Sequence, residues 1–327
     1  MSTLIISGSP HIHTDQSVQK IMMGVIYALI PAFLVSIYFF GLDALLLTVV
    51  SVASCMLFEY LIQKYLIKGE ITITDGSAVI TGILLAFNVP SNLPIWIIII
   101  GAFVSIGIAK MAFGGLGKNI FNPALVGRVF LLLSFPVQMT SWPVPRPLFM
   151  PQLTDAVTGP TALGILKEGL GAGKSLEELL PQLPTYVNDL MGNQGGSLGE
   201  VSAIALLIGA AYLFYKKIIT WHIPVAYLGS AFIFAAILHL INPSLYITPF
   251  FHLITGGMIL GVFYMATDMV SSPMSPRGML IFGFGCGIIT MLIRIWGSYP
   301  EGVSFAILLM NAVTPLINRG FKPARFG

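Results

Sequence analysis

The chain has 327 residues, of which 56% are hydrophobic and only 9% are charged, and its formal net charge is +3 at pH 7. Ordinary soluble domains carry roughly 25% charged residues, so a soluble protein of this length could not cover its surface with so few. The net charge is small and no basic run is interleaved with aromatic residues, which excludes nucleic-acid binding. Composition therefore predicts an integral membrane protein surrounded mostly by lipid.

Ten apolar runs follow one another along the chain, and most reach the ~20 residues that a membrane-spanning helix needs. They cover 21–40, 44–67, 77–90, 95–113, 119–135, 201–215, 222–241, 250–267, 278–296 and 303–318. The polar stretch before the first run lacks the cleavage site of a signal peptide. We therefore expect an all-α polytopic membrane protein with about ten transmembrane helices.

Three of these runs are short or interrupted. Run 77–90 ends at Pro90, run 119–135 contains Asn122 and Pro123, and run 250–267 contains Gly256 and Gly257. Broken helices are tolerated at membrane depth only where protein or a cavity satisfies the freed backbone groups. The broken runs therefore indicate where a site lies.

The two halves of the chain show a short internal match. Val79-Ile80-Thr81-Gly82 reappears as Leu253-Ile254-Thr255-Gly256, each followed by an apolar stretch and a polar, proline-rich turn. Five spans in each half would invert the second copy across the membrane, with the shared site at the broken helices. Basic residues near both ends support cytoplasmic termini but leave the side of the long central loop undecided.

The predicted organisation has five parts. These are a cytoplasmic segment 1–20, a membrane half 21–135, an external loop 136–200, a second membrane half 201–318 and a cytoplasmic tail 319–327. An odd number of crossings places the loop outside. Loops of this length are either functional or disordered. Its prolines and a helical pattern around 161–168 favour a packed, functional loop.

Cysteine usage limits the metal chemistry. Cys55 and Cys286 each lie inside an apolar run, and no CxxC spacing occurs. Two cysteines cannot supply a cysteine-ligated cluster or a structural zinc site within this chain. We expect both to be small buried apolar residues, and we predict no metal site.

A glycine-rich cluster spans 113–124 and contains Asn119 and Asn122. We expect the two asparagines to begin the next helix, where their spacing of three residues places both amides on one face. An amide has both donors and an acceptor, which suit the edge of a heteroaromatic ring. The alternative is a glycine turn in which Asn119 caps the helix. The cluster is not a P-loop, because Asn119 follows Lys118 where Ser or Thr is needed.

Charged residues in or near the runs are further candidates. A charge as deep as Arg128 is costly and normally faces a cavity or a partner, so we expect a functional or ion-paired role, and Glu59 is a weaker case. Asp268 lies at the end of the eighth run, where a carboxylate is either a site residue or a solvated helix cap at the membrane boundary. Asp75 fits a helix N-cap, and Arg294 could extend its charge to the membrane surface.

The loop contains Thr158-Gly159-Pro160-Thr161. Pro160 fits the first turn of a helix. Thr161 would then lie in the same turn, where unpaired N–H groups and the helix dipole favour an anion such as a phosphate. The alternative is that both threonines simply cap a short helix.

With these motifs, the chain resembles the family of the D subunit of Rnf electron-transport complexes and the B subunit of the sodium-pumping NADH:quinone reductase. The resemblance covers essentially the whole chain. The matching segments are Ser9-Pro10-His11, Asp75-Gly76-Ser77-Ala78, Ile80-Thr81-Gly82, Phe113-Gly114-Gly115-Leu116-Gly117, Phe121-Asn122-Pro123-Ala124, Ser134-Phe135-Pro136, Ala266-Thr267-Asp268, Tyr299-Pro300-Glu301-Gly302 and 305–311.

The resemblance implies two flavins. In the family, the last threonine of Ser/Thr-Gly-Ala-Thr is esterified to the phosphate of FMN. Here Pro160 replaces the alanine, and the implied attachment site is Thr161, with Thr158 and Gly159 supporting it. A second, non-covalent riboflavin is also implied, and its candidate ligands are Asn119, Asn122 and Asp268.

The resemblance also implies a function. The chain would relay electrons in an ion-translocating complex of the ferredoxin:NAD oxidoreductase type, in a bacterial inner membrane, coupled to sodium or proton transport. Its partners would include an external FMN-carrying subunit and iron–sulfur and NADH-binding subunits. No residue set indicates self-contained acid–base catalysis, so the enzyme label would belong to the complex. Arg128 and Glu59 are possible ion-path residues.

Two alternatives stay open. The first is the quinone-reductase B subunit, which usually has a longer extension before its first span than the ~20 residues found here. The second is a flavin-free secondary transporter, because inverted repeats with polar residues inside the membrane also describe permeases.

Overall fold

A computed structural model describes residues 17–69, 71–145, 158–192, 195–200 and 202–322. Within these ranges the regular structure is helical, and an isolated bridge pairs Pro143 with Thr158. The segment Ser9-Pro10-His11 lies outside the described residues, as do most of the predicted N-terminal segment and tail.

The helices before residue 140 are α1 Val18–Phe40, α2 Leu42–Leu61 with a π-helical continuation Ile62–Ile67, α3 Ser77–Phe87, α4 Ile95–Phe103 continued by Val104–Ile108, α5 Pro123–Ser134 and α6 Pro136–Met139. The loop contributes α7 Ala162–Gly171, α8 Leu176–Leu179 and α9 Tyr186–Met191. The rest are α10 Ala203–Tyr215, α11 His222–Ile241, α12 Pro249–Ile254, α13 Met258–Leu260 continued by Gly261–Met265, α14 Pro276–Trp296 and α15 Val303–Gly320. Here α1–α5 are called the first half and α10–α15 the second half.

Six helices of the described chain are long and apolar enough to cross a membrane. Three more apolar helices, α3, α5 and α10, have only 11, 12 and 13 residues. At 1.5 Å per residue they span about 16–20 Å, well short of the ~30 Å hydrocarbon core. The chain is therefore a polytopic helical membrane protein, and ten spans stay a prediction.

The two halves pack in a matching pattern. In the first half α2 lies against α3 and α4, and in the second half α11 lies against α12 and α14. Between the halves, α1 packs against α10 and α5 against α15. The α1–α10 contact is close, because a Cβ at Gly209 would overlap the carbonyl of Ala28, and the small residue permits the approach.

Helix α3 is a short helix buried by protein on nearly all sides. The end of the long loop satisfies the carbonyl of the helix's last residue and one just beyond it: Gly199 N–H donates to Phe87 O at 2.9 Å, and Leu198 N–H donates to Val89 O at 3.2 Å. A side chain at position 199 would overlap Phe87. The segment 195–200 thus satisfies backbone groups that lipid could not.

The second irregular element is the break between α12 and α13. Gly256 and Gly257 both have positive φ, 64° and 65°, which favours glycine. Arg294 stabilises the break, because its Nη2 donates to Thr255 O at 2.8 Å and to Gly256 O at 2.9 Å. Arg294 therefore points inward, and the expectation that its charge could extend to the membrane surface is wrong.

The structure changes the alignment of the internal repeat. Thr81 and Gly82 lie in the interior of α3, whereas Thr255 and Gly256 lie at the break. The better structural match is between the glycines that begin each helix. Gly76 (φ 84°) precedes α3, and Gly257 (φ 65°) precedes α13. The matched tetrapeptides therefore occupy different positions in their halves.

Candidate functional site

Thr161 lies at the N-terminus of α7. Its Oγ1 accepts a hydrogen bond from the Gly164 N–H at 3.1 Å, so Thr161 is the N-cap residue. Pro160 precedes the helix, which begins later than the sequence predicted. The cap nevertheless places the Thr161 hydroxyl against the Gly164 N–H, at the helix end where the dipole favours an anion.

The rest of the tetrapeptide acts through its backbone. Thr158 is exposed and pairs with Pro143, and Gly159 N–H donates to Trp142 O at 2.9 Å. These contacts hold the approach to α7 against the segment that follows α6. Thr158 and Gly159 thus help to fix the backbone that leads to Thr161.

Lys167 attaches α7 to the second half. Its Nζ donates to Tyr299 O at 2.7 Å, to Ile293 O at 3.2 Å and to Arg294 O at 3.3 Å. The last two are carbonyls from the final turn of α14, which a cation stabilises. Burial lowers the pKa of the Lys167 ammonium below its usual value.

A cavity with about 930 Å³ of empty space, here called the outer cavity, opens beside Thr161. Its walls include Arg128, Trp142, Thr161, Tyr299, Glu301 and Phe305. The rings of Tyr299 and Phe305 stack with centroids 5.2 Å apart. Arg128 donates to the Glu301 carboxylate and to the Ser304 hydroxyl. An aromatic wall thus faces a buried ion pair across a space that is open to solvent on one side.

A smaller cavity of about 300 Å³, here called the carboxylate cavity, also meets Thr161. Glu200 and Glu301 line it together with Thr161 and the Thr255–Gly256 break. Glu200 Oε1 is buried and has no hydrogen-bond partner among the described residues. Burial, and secondly the Glu301 charge, raise the pKa of the Glu200 carboxyl to about 7, against an opposing effect of Arg128.

The predicted second-flavin residues meet elsewhere, in a cleft of about 800 Å³ that includes its open mouth. Asn119, Asn122 and Asp268 all line this Asn119 cleft, together with Lys110 and Tyr264. The three predicted residues, which are far apart in the chain, thus lie around one cleft. Their side chains differ, however, in which hydrogen-bonding atoms remain free to contact a ligand.

Asn122 is fully used by the fold. Its Oδ1 accepts from Ala124 N–H at 3.1 Å as the cap of α5, and its Nδ2 donates to Met265 O at 3.3 Å. Its own N–H donates to Asn311 Oδ1 at 3.1 Å. Both asparagines precede α5, so the prediction that their amides share a helix face is wrong, and Asn122, not Asn119, is the cap.

Asn119 keeps one group free. Its Nδ2 donates to Phe121 O at 3.1 Å, whereas its Oδ1 is buried without a partner among the described residues. Asp268 is partly used, because its Oδ2 accepts from Ser271 Oγ at 2.7 Å. Asn119 is thus the polar side chain best placed to meet a ligand in the cleft.

Glu59 is buried and pairs with Lys110, whose Nζ lies 2.6 Å from Glu59 Oε2 and 2.6 Å from Ser77 Oγ. Asp75 accepts hydrogen bonds from the N–H and the hydroxyl of Ser77, at 2.7 and 2.6 Å. The start of α3 is therefore held by a buried charged network that adjoins the Asn119 cleft.

Sequence reasoning misses three side chains that line or support these spaces. These are Lys110, Lys167 and Glu200, to which the sequence analysis gives no functional role. Lys110 lies inside the apolar run 95–113, and the cost of a charge there could have drawn attention to it. Glu200 and Lys167 lie in ordinary loop surroundings and give no such signal.

Comparison with known proteins gives a consistent picture. The model of the NQR2, RnfD, RnfE family matches residues 5–327. The D subunit of a Na⁺-translocating ferredoxin:NAD⁺ oxidoreductase complex from Acetobacterium woodii is 47% identical over 99% of this chain and 95% of its own. The D subunit of a proton-translocating ferredoxin:NAD⁺ oxidoreductase complex from Clostridium ljungdahlii is 45% identical, over 98% and 96%. That of an ion-translocating oxidoreductase complex from Stutzerimonas stutzeri is 39% identical, over 95% and 92%.

Proposed function

The chain belongs to the NQR2, RnfD, RnfE family, and from this premise we propose that it is the D subunit of an ion-translocating ferredoxin:NAD oxidoreductase complex. In a bacterial inner membrane it relays electrons between partner subunits that bind FMN, iron–sulfur clusters and NADH. The 45–47% sequence identity to D subunits of such complexes, over nearly the whole chain, supports the proposal. Two relatives of similar identity are named for sodium and for protons, so their names do not favour either ion for this chain.

The single observation that carries the electron-relay role is the setting of Thr161. Its side chain is only 8% exposed, caps α7 and touches both the outer cavity and the carboxylate cavity. A phosphate ester on Oγ1 would meet the N-terminal N–H groups of α7, which favour an anion. The Tyr299–Phe305 pair and Trp142 offer apolar walls for a flat ring system, so the residues present fit FMN.

The residues of this chain would then hold and shield the flavin, which itself exchanges electrons one at a time. Gly164 N–H and the start of α7 would hold the phosphate. The aromatic walls exclude water. The Arg128–Glu301 ion pair would lie beside the ring, and its two opposite charges cancel, so it adds no net charge there. Lys167 fixes α7 to the end of α14 and so sets the position of Thr161.

Ultraviolet fluorescence of the denatured protein on a gel tests the attachment. The wild-type band should fluoresce, Thr161→Ala should lose the signal, and Thr161→Ser should keep at least part of it. Thr185→Ala removes an exposed threonine of the same loop and should have no effect. A dark wild-type band, or a Thr161→Ala band that still fluoresces, would contradict the covalent flavin.

We assign the Asn119 cleft to a second, non-covalent riboflavin. The partnerless Asn119 Oδ1 offers an acceptor for a ring N–H, and the cleft brings it together with the polar side chains of Lys110 and Asp268. Riboflavin extracted from the denatured complex should fall at least several-fold in Asn119→Leu, while the gel fluorescence stays unchanged. Asn92→Leu alters an exposed asparagine and serves as the control. No riboflavin in the wild type, or equal amounts in Asn119→Leu, would refute the assignment.

We also propose ten membrane crossings in two inverted halves with both termini cytoplasmic. The pairing of α1 with α10 and of α5 with α15 supports this arrangement, since equivalent helices of inverted repeats meet at their interface. In sealed cells, a cysteine at Lys174 should react with an impermeant thiol reagent, and one at Lys322 should react only after lysis. Labelling of both positions from the same side would rule the topology out.

A further inference from the structure

We propose that Glu200 is a redox-linked protonation site: its carboxylate takes up one proton when one electron arrives at the group attached to Thr161. The inference rests on the proposed covalent flavin. It adds a function for a residue that the electron-relay role by itself does not require, and it gives the carboxylate cavity a purpose distinct from that of the outer cavity.

The geometry of the carboxylate cavity carries the proposal. Thr161 and Glu200 line the same small space, and Glu301 lines both this cavity and the outer cavity, so charge that arrives on a group attached to Thr161 acts on the Glu200 carboxylate at short range. Glu200 Oε1 is buried and has no hydrogen-bond partner among the described residues. An oxygen in that position is costly as part of a carboxylate, and protonation of the carboxyl removes most of the cost.

The carboxyl group is held there by close contact with backbone. Glu200 Oε2 would lie 3.5 Å from a Cβ at Gly196, and Oε1 would overlap a Cβ at Gly257. Both positions are glycine, and Gly257 also has the positive φ of the α12–α13 break. The carboxylate cannot turn outward without losing this packing, so its surroundings stay the same when its charge changes.

The cations around Glu200 are already bound to other groups. Glu301 faces the cavity and is paired with Arg128, and Arg294 directs both terminal nitrogens to carbonyls, including that of His252. Lys167 is bound to carbonyls at the end of α14. Within the described residues, none of these cations forms an ion pair with Glu200.

An added electron on the group attached to Thr161 is a new negative charge close to Glu200, and none of these cations is paired with that carboxylate. The proton restores the balance: one electron comes from the reduced partner subunit, one proton comes from water, and the one bond formed is the O–H bond of Glu200. The pKa of Glu200 is raised to about 7 before any electron arrives, so proton uptake on reduction falls in the physiological range. Below pH 7 the carboxyl is already protonated and the coupling fades.

The test is a redox titration of the covalent flavin in the intact complex at several pH values, in wild type, Glu200→Gln and Glu200→Asp. Above about pH 7, uptake of one proton per electron should change the reduction equilibrium constant of the wild type ten-fold per pH unit, and Glu200→Gln should lack this dependence. Glu200→Asp should retain part of this sensitivity. Glu178→Gln changes an exposed carboxyl of the same loop and should match the wild type.

A reduced-minus-oxidised infrared difference spectrum adds a readout that a purely structural role would not move. The carbonyl band of a newly protonated carboxylic acid should appear in wild type and vanish in Glu200→Gln. Equal pH sensitivity in Glu200→Gln and wild type would overturn the inference, as would a dependence on sodium in place of pH. The absence of gel fluorescence in the wild-type protein would instead refute the covalent flavin itself.

Discussion

Lys110 and Glu59 form a salt bridge of 2.6 Å although their side chains are only 2% and 1% exposed and both lie between apolar helices. Lys110 also donates to Ser77 at the start of α3. The pair therefore joins α2, the end of the α4 segment and α3 at one point. A buried pair of this type is strongly interdependent, because either partner alone is an uncompensated charge.

Removing one partner should therefore cost more than removing both. We expect Glu59→Leu or Lys110→Met alone to lower the free energy of unfolding by about 3–5 kcal/mol, and the double variant to recover much of that loss. Thermal unfolding of the detergent-purified protein measures the cycle. If the double variant is as unstable as the sum of the two single variants, the charges act independently and the expectation fails.

Lys167→Met should loosen α7 from the second half. Three carbonyls lose a charged donor, and bonds to charged groups contribute about 1.5–3 kcal/mol each. Amide hydrogen exchange in residues 162–171 should accelerate at least about ten-fold. Lys174→Met removes an exposed lysine from the same loop and should leave the exchange rates unchanged. Unaltered rates in Lys167→Met would mean that other contacts hold the helix.

Gly199→Ala should destabilise the protein by about 1–3 kcal/mol, because the added methyl would overlap Phe87 and displace the N–H that closes α3. Gly171→Ala is the matched control, since a Cβ there meets open space and the backbone is helical. Thermal unfolding of both variants gives the comparison. A Gly199→Ala protein as stable as Gly171→Ala would show that segment 195–200 can move aside freely.

The stability of the protein should fall as pH rises from about 4.5 to about 7. The pKa of Glu200 is raised from 4.5 to about 7 in the folded state, so the folded state binds the proton more tightly than the unfolded state does. The contribution of this proton to the free energy of unfolding is fully present below pH 4.5 and is lost as pH approaches 7. The total loss is about 3 kcal/mol. Thermal unfolding from pH 5 to 8 should show this slope in wild type and a flatter one in Glu200→Gln. Parallel slopes would contradict the assignment.

The long apolar helices could be predicted well from the sequence, because lipid demands uninterrupted apolar runs of sufficient length. The same holds for the short helix in the loop, which the structure places at Ala162–Gly171, and for the two buried cysteines. These features depend on local composition and on local capping chemistry, and the residues that determine them are close together in the chain.

Features that depend on distant contacts were harder to predict. Asn119 and Asn122 have the same chemistry and similar local surroundings, yet contacts with Met265 and Asn311 commit one to the fold and leave the other with a free oxygen. Glu200 looks like an ordinary loop carboxylate in the sequence, because its burial comes from the α12–α13 break in the second half. No local pattern records such a contact.

The closing of α3 by Leu198 and Gly199 has a consequence for the order in which the protein is made. The helix leaves the ribosome long before the residues that hydrogen-bond to its last carbonyls, since all of α4 to α9 comes between them. A first half that has entered the bilayer alone would carry unsatisfied carbonyls at the end of α3. It can reach its final form only after the loop has been synthesised and has folded back, so a ribosome stalled before residue 199 should leave a nascent chain that depends on the insertion machinery for protection.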